Sequence, residues 1–423
     1  MRRLPALAAA VLVLFPTSSA SAKDICVPPL HAECAGDMQV TTFREAVVEA
    51  NDSPGADRVL LGAGTYPDDQ TVGADAAQDL DVDGSGRDAT FLDVAGTGEP
   101  LVTINNPDSV VSDLEIRMVG AGSVIGLVLN SGLLERVDVG GTANESSRGV
   151  VMAAGADLTS VRIDLSVAQN AFGVYLGPEV AGSGTSTFTD VATRGRFGLY
   201  IAVSSPIVVR RGHYQGSNAG ILIFAPTYDF DADSFIARGV VQNGQALNFQ
   251  ASSPGTSTAV IRHATLYNHT GDNSAAEFSQ FNGGTTSVGL ESSVIGGPTP
   301  DILAWAHNPG STSTVDPDYS SFNPTQVAER EGDSGVATIA SGDGNLPGPG
   351  ARFVDATNGD FRIYGDSPFV DTGEPMDVIA GASQFDVLGG LRVLDGNDDG
   401  DPRRDIGAEE FDPDNPPPAP PTT

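Results

Sequence analysis

The chain has few basic residues for its length of 423. It carries 22 Lys and Arg against 55 Asp and Glu, a formal net charge of −33, and its only lysine is Lys23. A chain this acidic repels nucleic acid and anionic lipid, so we expect neither as a partner. An anionic polysaccharide is repelled as well, unless cations bridge the two or a local basic patch receives it.

Long apolar runs are absent after the first residues. Two arginines precede an apolar run over residues 4–15, and small residues follow at 20–22. This pattern predicts a secretory signal peptide over residues 1–22 that is cleaved before Lys23. No later stretch approaches the length of a membrane span, so we expect a secreted or cell-surface protein with no span in its mature part.

Cysteine is nearly absent too. Cys26 and Cys34 are the only two, and in an exported chain a disulfide between them is the default, with a metal pair or reactive thiols as the alternatives. The bridge would close a short loop and contribute about 2–3 kcal/mol on the chain-entropy model. It would fix the N-terminus and says nothing about catalysis.

A repeated pattern dominates the middle of the chain. Five times, at intervals of 22 to 25 residues, a glycine opens a run of mostly large apolar residues, at Gly126, Gly149, Gly173, Gly198 and Gly220. Second runs that alternate apolar and polar residues follow most of them, as in a strand with one wet face. The leucine and asparagine spacing of a leucine-rich repeat is missing, and glycine and β-branched residues oppose a helical repeat. The pattern predicts an all-β parallel β-helix whose coils stack as an array.

A short helix is predicted before the first coil. Thr42 and Glu45 fit a capping box, and an apolar stripe runs along the helix that follows them. The breaker-rich segment at residues 51–55 ends the helix. Such a helix would cover the open end of the solenoid, where core and strand edges are otherwise exposed.

Both ends of the chain resemble a known group of proteins. Residues 42–47, with Asn51, Pro54-Gly55-Ala56-Asp57 and Gly64-Thr65-Tyr66, resemble the CSLREAI-type N-terminal segment of secreted bacterial right-handed β-helix proteins, without its opening cysteine and serine. Residues 353–355, 359–362, 367–373 and 405–409 resemble the choice-of-anchor Q domain, although Glu409 stands where an aromatic residue is common. The resemblance implies a right-handed, single-stranded, pectate-lyase-like solenoid and an extracytoplasmic location. It implies no reaction.

These signals divide the chain into six parts. We predict a signal peptide (1–22), a disulfide segment with the capping helix (23–56), the parallel β-helix (57–305), a loop-rich connection (306–350), a closing choice-of-anchor Q-like module (351–411) and a disordered proline-rich tail (412–423).

Aligning the alternating runs places polar residues in two outward columns. One contains Asp113, Arg136, Ser160, Asp190, Arg211 and His263; the other contains Glu115, Asp138, Arg162, Ala192, His213 and Thr265. Candidate catalytic residues are Asp190, Arg211 and His213, around the densest basic spot of the chain. A lyase would use an arginine as base and a carboxylate or calcium to neutralise a uronate, whereas a hydrolase would use two carboxylates. The alternative is a ladder of structural ion pairs, because the charges alternate in sign.

Two tyrosines form a candidate binding surface. Alternation sends Tyr175 and Tyr200 outward from neighbouring coils, where their rings could stack on a sugar. The alternatives are that a loop covers them, or that they lie in the core.

One acidic loop is a candidate calcium site. Asp395, Asn397, Asp399 and Asp401 offer oxygen ligands at alternate positions of a glycine-rich stretch. Ile406 stands where an EF-hand requires its closing glutamate, so only a looser calcium-stabilised turn remains. No other cofactor is expected.

Taken together, these observations favour a monomeric, secreted or cell-surface β-helix protein that binds carbohydrate or other surface components without catalysis. One alternative is a polysaccharide lyase or glycoside hydrolase that acts on an outer face of the solenoid. Another is a rigid adhesin or spacer without a small ligand.

Overall fold

The structure is a computed structural model. It describes residues 22–34, 38–53, 55–68, 74–76, 78–95, 100–120, 122–141, 146–165, 170–180, 182–241, 244–269, 273–297, 300–348, 350–375 and 382–419. The predicted signal peptide lies outside the described residues except for Ala22.

The described chain contains one helix, α1 (Phe43–Asp52), and strands β1 to β31. In chain order the strands are Asp24–Val27, Met38–Gln39, Asp57–Leu61, Gly64–Asp68, Ala74–Ala76, Leu80–Gly84, Thr90–Ala95, Val102–Ile104, Val110–Val119, Ile125–Leu129, Leu133–Gly141, Arg148–Met152, Asp157–Thr159, Arg162–Asp164, Phe172–Leu176, Ser186–Ile201, Pro206–Ala225, Asp229–Gly239, Gln245–Ala251, Thr256–Asn268, Ala276–Gln280, Thr285–Glu291, Val294–Gly296, Ile302–Ala306, Thr312–Asp318, Ser321–Phe322, Val327–Glu331, Val336–Ile339, Leu346–Pro347, Phe353–Asp355 and Asp360–Ile363.

The predicted parallel β-helix is confirmed. Strands β1 to β29 belong to one sheet in which each coil pairs in parallel with the next, over about 10 turns. The glycine-led rungs stack in register, with Val174 opposite Leu199 and Leu199 opposite Ile221. Their inward side chains are fully buried, so the core is a column that each coil shares with its neighbours.

The glycine that opens each rung is required by close packing between coils. A Cβ at Gly126 would lie 2.5 Å from the carbonyl oxygen of Gly149, and one at Gly149 would lie 2.7 Å from that of Gly173. Side chains cannot occupy that space. The repeat of glycines therefore reflects the close approach of one coil's backbone to the next.

Each coil has three faces, which β17 (Pro206–Ala225) displays in a single strand. We call residues 206–210 and their stacked equivalents face A, 212–216 face B and 219–225 face C. Faces A and B meet at Arg211, whose φ of 51° is left-handed. The same left-handed bend recurs up the stack, at Asp113, Arg136, Ser160, Asp190, Ser234, His263, Ser292 and Tyr319. The first of the two predicted outward columns is therefore a column of bends.

Helix α1 closes the N-terminal end of the solenoid, as predicted. The Thr42 hydroxyl accepts a hydrogen bond from the backbone N–H of Glu45, and the Glu45 carboxylate accepts one from the backbone N–H of Thr42. Its apolar stripe is buried in the same core cluster as the first coils. The disulfide between Cys26 and Cys34 is also confirmed, with a Cα–Cα distance of 6.0 Å.

The predicted loop-rich connection over residues 306–350 is wrong. Five strands lie there, and Thr312–Asp318 pairs with Thr285–Glu291 as a further coil on face A. Threonine and aspartate alternate with buried residues along this strand, so a polar composition concealed a regular period of two.

Residues 350–375 and 382–411, here called the closing module, fold back onto face B of the later coils. An antiparallel pair, Phe353–Asp355 with Asp360–Ile363, places Phe361 against Tyr267. The module also forms hydrogen bonds with the coils: the backbone N–H of Ala408 donates to the Thr265 hydroxyl at 3.0 Å. The resemblance of this module to a choice-of-anchor Q domain stays a prediction.

The closing module buries charged groups at the column of bends. His263, predicted to face outward, is completely buried and lies 3.0 Å from the Asp233 carboxylate. Burial lowers the pKa of His263 to about 4, so the ring is neutral. Arg392 of the module is equally buried and donates to the Ser234 hydroxyl at 3.1 Å.

No helix among the described residues is long and apolar enough to cross a membrane.

Candidate functional site

The second predicted column lies on face B and leads to a groove. Asp138 pairs with Arg162, Arg162 with Ala192, and Ala192 with His213, in the predicted register. The side chains of this column point away from the core because its neighbours in sequence, such as Ile163 and Tyr214, fill the interior.

The groove lies where the closing module meets face B. A cavity of about 300 Å³ is bounded on one side by face B and on the other by Asn358 and Gly359 of the module. Its polar walls come from Arg162, Asp164, Arg194, His213, Gln215 and Arg238. We call this the arginine groove, after the three guanidinium groups that line it.

The three arginines are incompletely neutralised. Arg162 is exposed and makes no hydrogen bond or ion pair with any residue that the structure describes. Arg194 has a loose ion pair with Asp164, at 3.6 Å. Arg238 donates to the backbone oxygen of Thr357 at 3.0 Å, and burial, followed by repulsion from Arg194, lowers its pKa. The groove is a positive site in a strongly negative chain.

His213 is held in its neutral form at the centre of the groove. Burial lowers the pKa of the ring, and the charge of Arg194 lowers it further. Within the described part of the chain the ring has no hydrogen-bond partner. Its nitrogens are therefore available to a ligand.

A second cavity, of about 420 Å³, continues the groove past His213 into the closing module. The two cavities share His213, Asn358 and Gly359, and the second also reaches Arg362 and Glu409. Glu409 is 5 % exposed, and its buried Oε2 has no hydrogen-bond partner within the described residues. Burial, together with the nearby Asp360 and Asp386, raises the pKa of Glu409 to about 8. At neutral pH this carboxyl is mostly protonated.

Of the three candidate catalytic residues, only His213 lines the groove. Arg211 donates through Nε and Nη2 to the two carboxylate oxygens of Asp190, both at 2.8 Å. This bidentate pair links two consecutive bends, and neither residue lines either cavity.

The two tyrosines lie on face C and point outward. Their rings are parallel, with centroids 5.2 Å apart, and both are half-buried. The Arg148 guanidinium covers the other face of Tyr175, at 3.9 Å from its centroid, and Glu179 accepts a hydrogen bond from its hydroxyl. Both faces of Tyr175 are occupied, which leaves only its edge for a sugar. Carbohydrate binding at Tyr175 and Tyr200 stays a prediction.

The side-chain oxygens of the candidate calcium loop already have hydrogen-bond or ion-pair partners in or beside the loop. Asp395 accepts hydrogen bonds from the backbones of Asp399 and Gly400, and Asn397 accepts another from Asp399. Asp401 is paired with Arg403 at 2.8 Å. Among the described residues, no group of three or more His, Cys, Asp or Glu is arranged to hold a metal ion.

Sequence reasoning missed Arg194, Arg238 and Glu409. Each arginine follows a position of the second outward column by two residues in the sequence. Alternate residues of a strand point to the same side, so this period of two could have placed both arginines on face B. The signal for Glu409 was a carboxyl at a position where the choice-of-anchor Q domains, which the sequence was predicted to resemble, commonly have an aromatic side chain. Only the folding back of the closing module brings it to His213.

No family model and no curated protein matches this sequence. Solved structures resemble it at low identity. Pectate lyase Pel9A is 15 % identical over 93 % of this chain and 98 % of its own, with a TM-score of 0.35. The A-module of mannuronan C-5 epimerase AlgE4 from Azotobacter vinelandii is 13 % identical over 73 % and 95 %, with a TM-score of 0.33. The catalytic unit of a GH87 alpha-1,3-glucanase from Streptomyces thermodiastaticus strain HF3-3 is 13 % identical over 72 % and 65 %, with a TM-score of 0.39. Similarity at this level carries no information on substrate or reaction.

Proposed function

We propose that this chain binds an acidic polysaccharide in the arginine groove. The observation that carries the proposal is the convergence of Arg162, Arg194 and Arg238 on one groove beside a neutral histidine. Arg162 is exposed and has no partner among the described residues, in a chain where acids outnumber bases by 55 to 22.

The charge of the groove selects an anion. Of the described residues that line the first cavity, Asp164 alone carries a carboxylate, so the three guanidinium groups leave a local excess of positive charge. Guanidinium groups bind carboxylates through paired, charge-assisted hydrogen bonds. Because the rest of the chain is acidic, it repels any charge of the anion that lies outside the groove. A polymer with a higher charge density than an acidic polysaccharide is therefore disfavoured.

The shape and lining of the groove favour a saccharide over a nucleic acid. Coils stack about 4.8 Å apart, and Arg194 and Arg238 lie two coils apart in the same register, so they offer two cationic groups in line along the solenoid. Gln215 lies between them in the strand register, and its amide and that of Asn358, which also lines the cavity, can bond hydroxyl groups. Tyr214 is the aromatic side chain among the described residues that line the first cavity, and it is buried, so these residues offer no platform on which a base could stack.

Titration calorimetry with polygalacturonate and with alginate tests the proposal. We expect binding of at least one of the two by the purified chain, and none of a neutral glucan. Arg162→Ala and Arg194→Ala should each weaken binding about tenfold, as the loss of one charge-assisted hydrogen bond does. Arg211→Ala is the matched control, because it removes an arginine from the same solenoid whose guanidinium is already held by Asp190.

Two results would overturn the proposal. If the chain binds no uronate polymer at low ionic strength, the solenoid is better described as a spacer or adhesin. If Arg162→Ala and Arg211→Ala weaken binding equally, the ligand is not in the arginine groove.

A further inference from the structure

We propose that the groove also cleaves the acidic polysaccharide by β-elimination, with His213 as the base and Glu409 as the acid. This inference rests on the proposed function, because it needs the same polymer in the same groove. It adds a reaction, and it assigns a catalytic role to Glu409.

The geometry brings a proton acceptor and a proton donor to one cavity. His213 and Glu409 line the same space of about 420 Å³, although they belong to the solenoid and to the closing module. Each has a free polar atom: His213 has no hydrogen-bond partner, and Glu409 Oε2 has none, within the described residues.

Their protonation states are the ones that such a pair needs. The lowered pKa of His213 keeps it able to accept a proton, while the raised pKa of Glu409, about 8, keeps it able to donate one. Environments that move two titratable groups in opposite directions are typical of general acid–base sites.

The arginines decide between elimination and hydrolysis. Hydrolysis requires an ionised carboxylate that activates water or attacks the sugar. The other carboxylates of the groove are engaged, Asp164 with Arg194 and Asp360 with Arg362. Elimination instead requires neutralisation of a uronate carboxylate, and Arg194 lies next to the proposed base.

The step balances without water or a cofactor. A ring nitrogen of His213 removes the proton from C5 of a uronate whose carboxylate is bound by Arg194. The electrons of that C–H bond form a C4=C5 double bond, and the bond from C4 to the glycosidic oxygen breaks. The leaving oxygen takes its proton from Glu409. The products are a chain with an unsaturated uronate at its end and a chain with a free hydroxyl, and solvent returns the proton from His213 to Glu409.

The test is ultraviolet absorbance of the new double bond, measured on the ligand that binds best. We expect the wild-type chain to release unsaturated product. His213→Ala and Glu409→Gln should each lower the rate by about 100-fold or more, as removal of a general acid or base does, with binding by calorimetry little changed. His31→Ala controls for loss of a histidine outside the groove. Glu410→Gln controls for disturbance of the closing module, since Glu410 is its buried neighbour but does not line the cavity.

The pH profile gives a second measurement. The rate should fall above about pH 8, where Glu409 ionises, and Glu409→Gln should remove this limb. Binding without unsaturated product would overturn the elimination and leave the proposed binding function intact, whereas failure to bind would overturn both. New reducing ends without absorbance would show hydrolysis, and an equal loss of rate in Glu410→Gln would exclude a specific role for Glu409.

Discussion

Gly359 of the closing module lies directly against the Arg238 guanidinium of the solenoid. A Cβ added at Gly359 would overlap Arg238 Nη1, and the φ of 90° at this glycine is one that other residues rarely adopt. Arg238 in turn donates to the Thr357 carbonyl. The position of Gly359 in the wall of the groove and the position of the Arg238 guanidinium therefore depend on each other.

Gly359→Ala should displace Arg238 and weaken binding of acidic polysaccharide. We expect a loss of about tenfold in affinity, similar to loss of one charge-assisted hydrogen bond, measured by calorimetry. Gly400→Ala is the matched control: its φ is 87°, but a Cβ there meets nothing within 4 Å. Both variants carry the same backbone strain, so equal affinities would show that the contact with Arg238 does not matter.

Tyr175→Ala should cost less stability than truncation of a core aromatic residue. The ring loses its stack on Tyr200 and its contact with Arg148, which together are worth about 1–2 kcal/mol. Phe249→Ala, at a fully buried position, should cost about 3–5 kcal/mol. Chemical denaturation measures both, and a comparable loss for Tyr175→Ala would contradict an outward role.

The same Tyr175→Ala variant also tests the sugar-platform hypothesis. Because both faces of the ring are covered, we expect calorimetry with neutral and acidic glycans to give the same result as for the wild-type chain. Weakened glycan binding would show that Arg148 moves aside and that the tyrosine pair is a binding surface after all.

The regular parts of this fold could be predicted from the sequence because they rest on local periods. A glycine every 22 to 25 residues and alternation with a period of two fixed the coil register, including the pairing of Ala192 with His213. A capping box likewise predicts the start of a helix, and two cysteines can form only one disulfide. Alternation also set the outward direction of Tyr175 and Tyr200.

The site could not be predicted because it depends on contacts between distant parts of the chain. His263 and His213 were both assigned to outward positions, yet the closing module buries the first and leaves the second at a groove. Likewise Arg211 was chosen because it lies in the most basic part of the chain, but its guanidinium is bound by the Asp190 carboxylate. Residues 306–350 were misassigned for another reason: polar side chains on an outer face leave only a weak apolar period.

Calcium should leave the melting temperature unchanged. In the acidic loop, Asp395 and Asn397 already accept backbone hydrogen bonds and Asp401 is paired with Arg403. A calcium ion would have to displace these partners. A ligand that binds the folded state stabilises it by mass action, so thermal melting with millimolar calcium, magnesium or chelator is the measurement. A rise specific to calcium, lost in Asp395→Asn, would establish the calcium site predicted from the sequence.

Raising the pH should loosen the closing module, because it buries carboxyl groups. Asp405 is 1 % exposed and accepts hydrogen bonds from the backbones of Asp371 and Phe411. Burial raises the pKa of Asp405 from its usual 3.8 to about 7. A pKa raised in the folded state means that folding favours the protonated form. The stabilisation is therefore complete below the pKa of the unfolded chain, declines above it, and is lost as the pH rises through about 7.

We expect the melting temperature to fall between about pH 4 and pH 7, and the amides of the closing module to lose protection over the same range once the intrinsic pH dependence of exchange is corrected for. Asp405→Asn keeps the size of the side chain but cannot ionise, so its melting temperature should fall less over the same range. Asp414→Asn, an exposed carboxylate a few residues away, should behave as the wild-type chain does. If the module of the wild-type chain instead becomes more protected as the pH rises, Asp405 is already ionised. Its two backbone N–H donors would then stabilise the carboxylate by more than burial destabilises it.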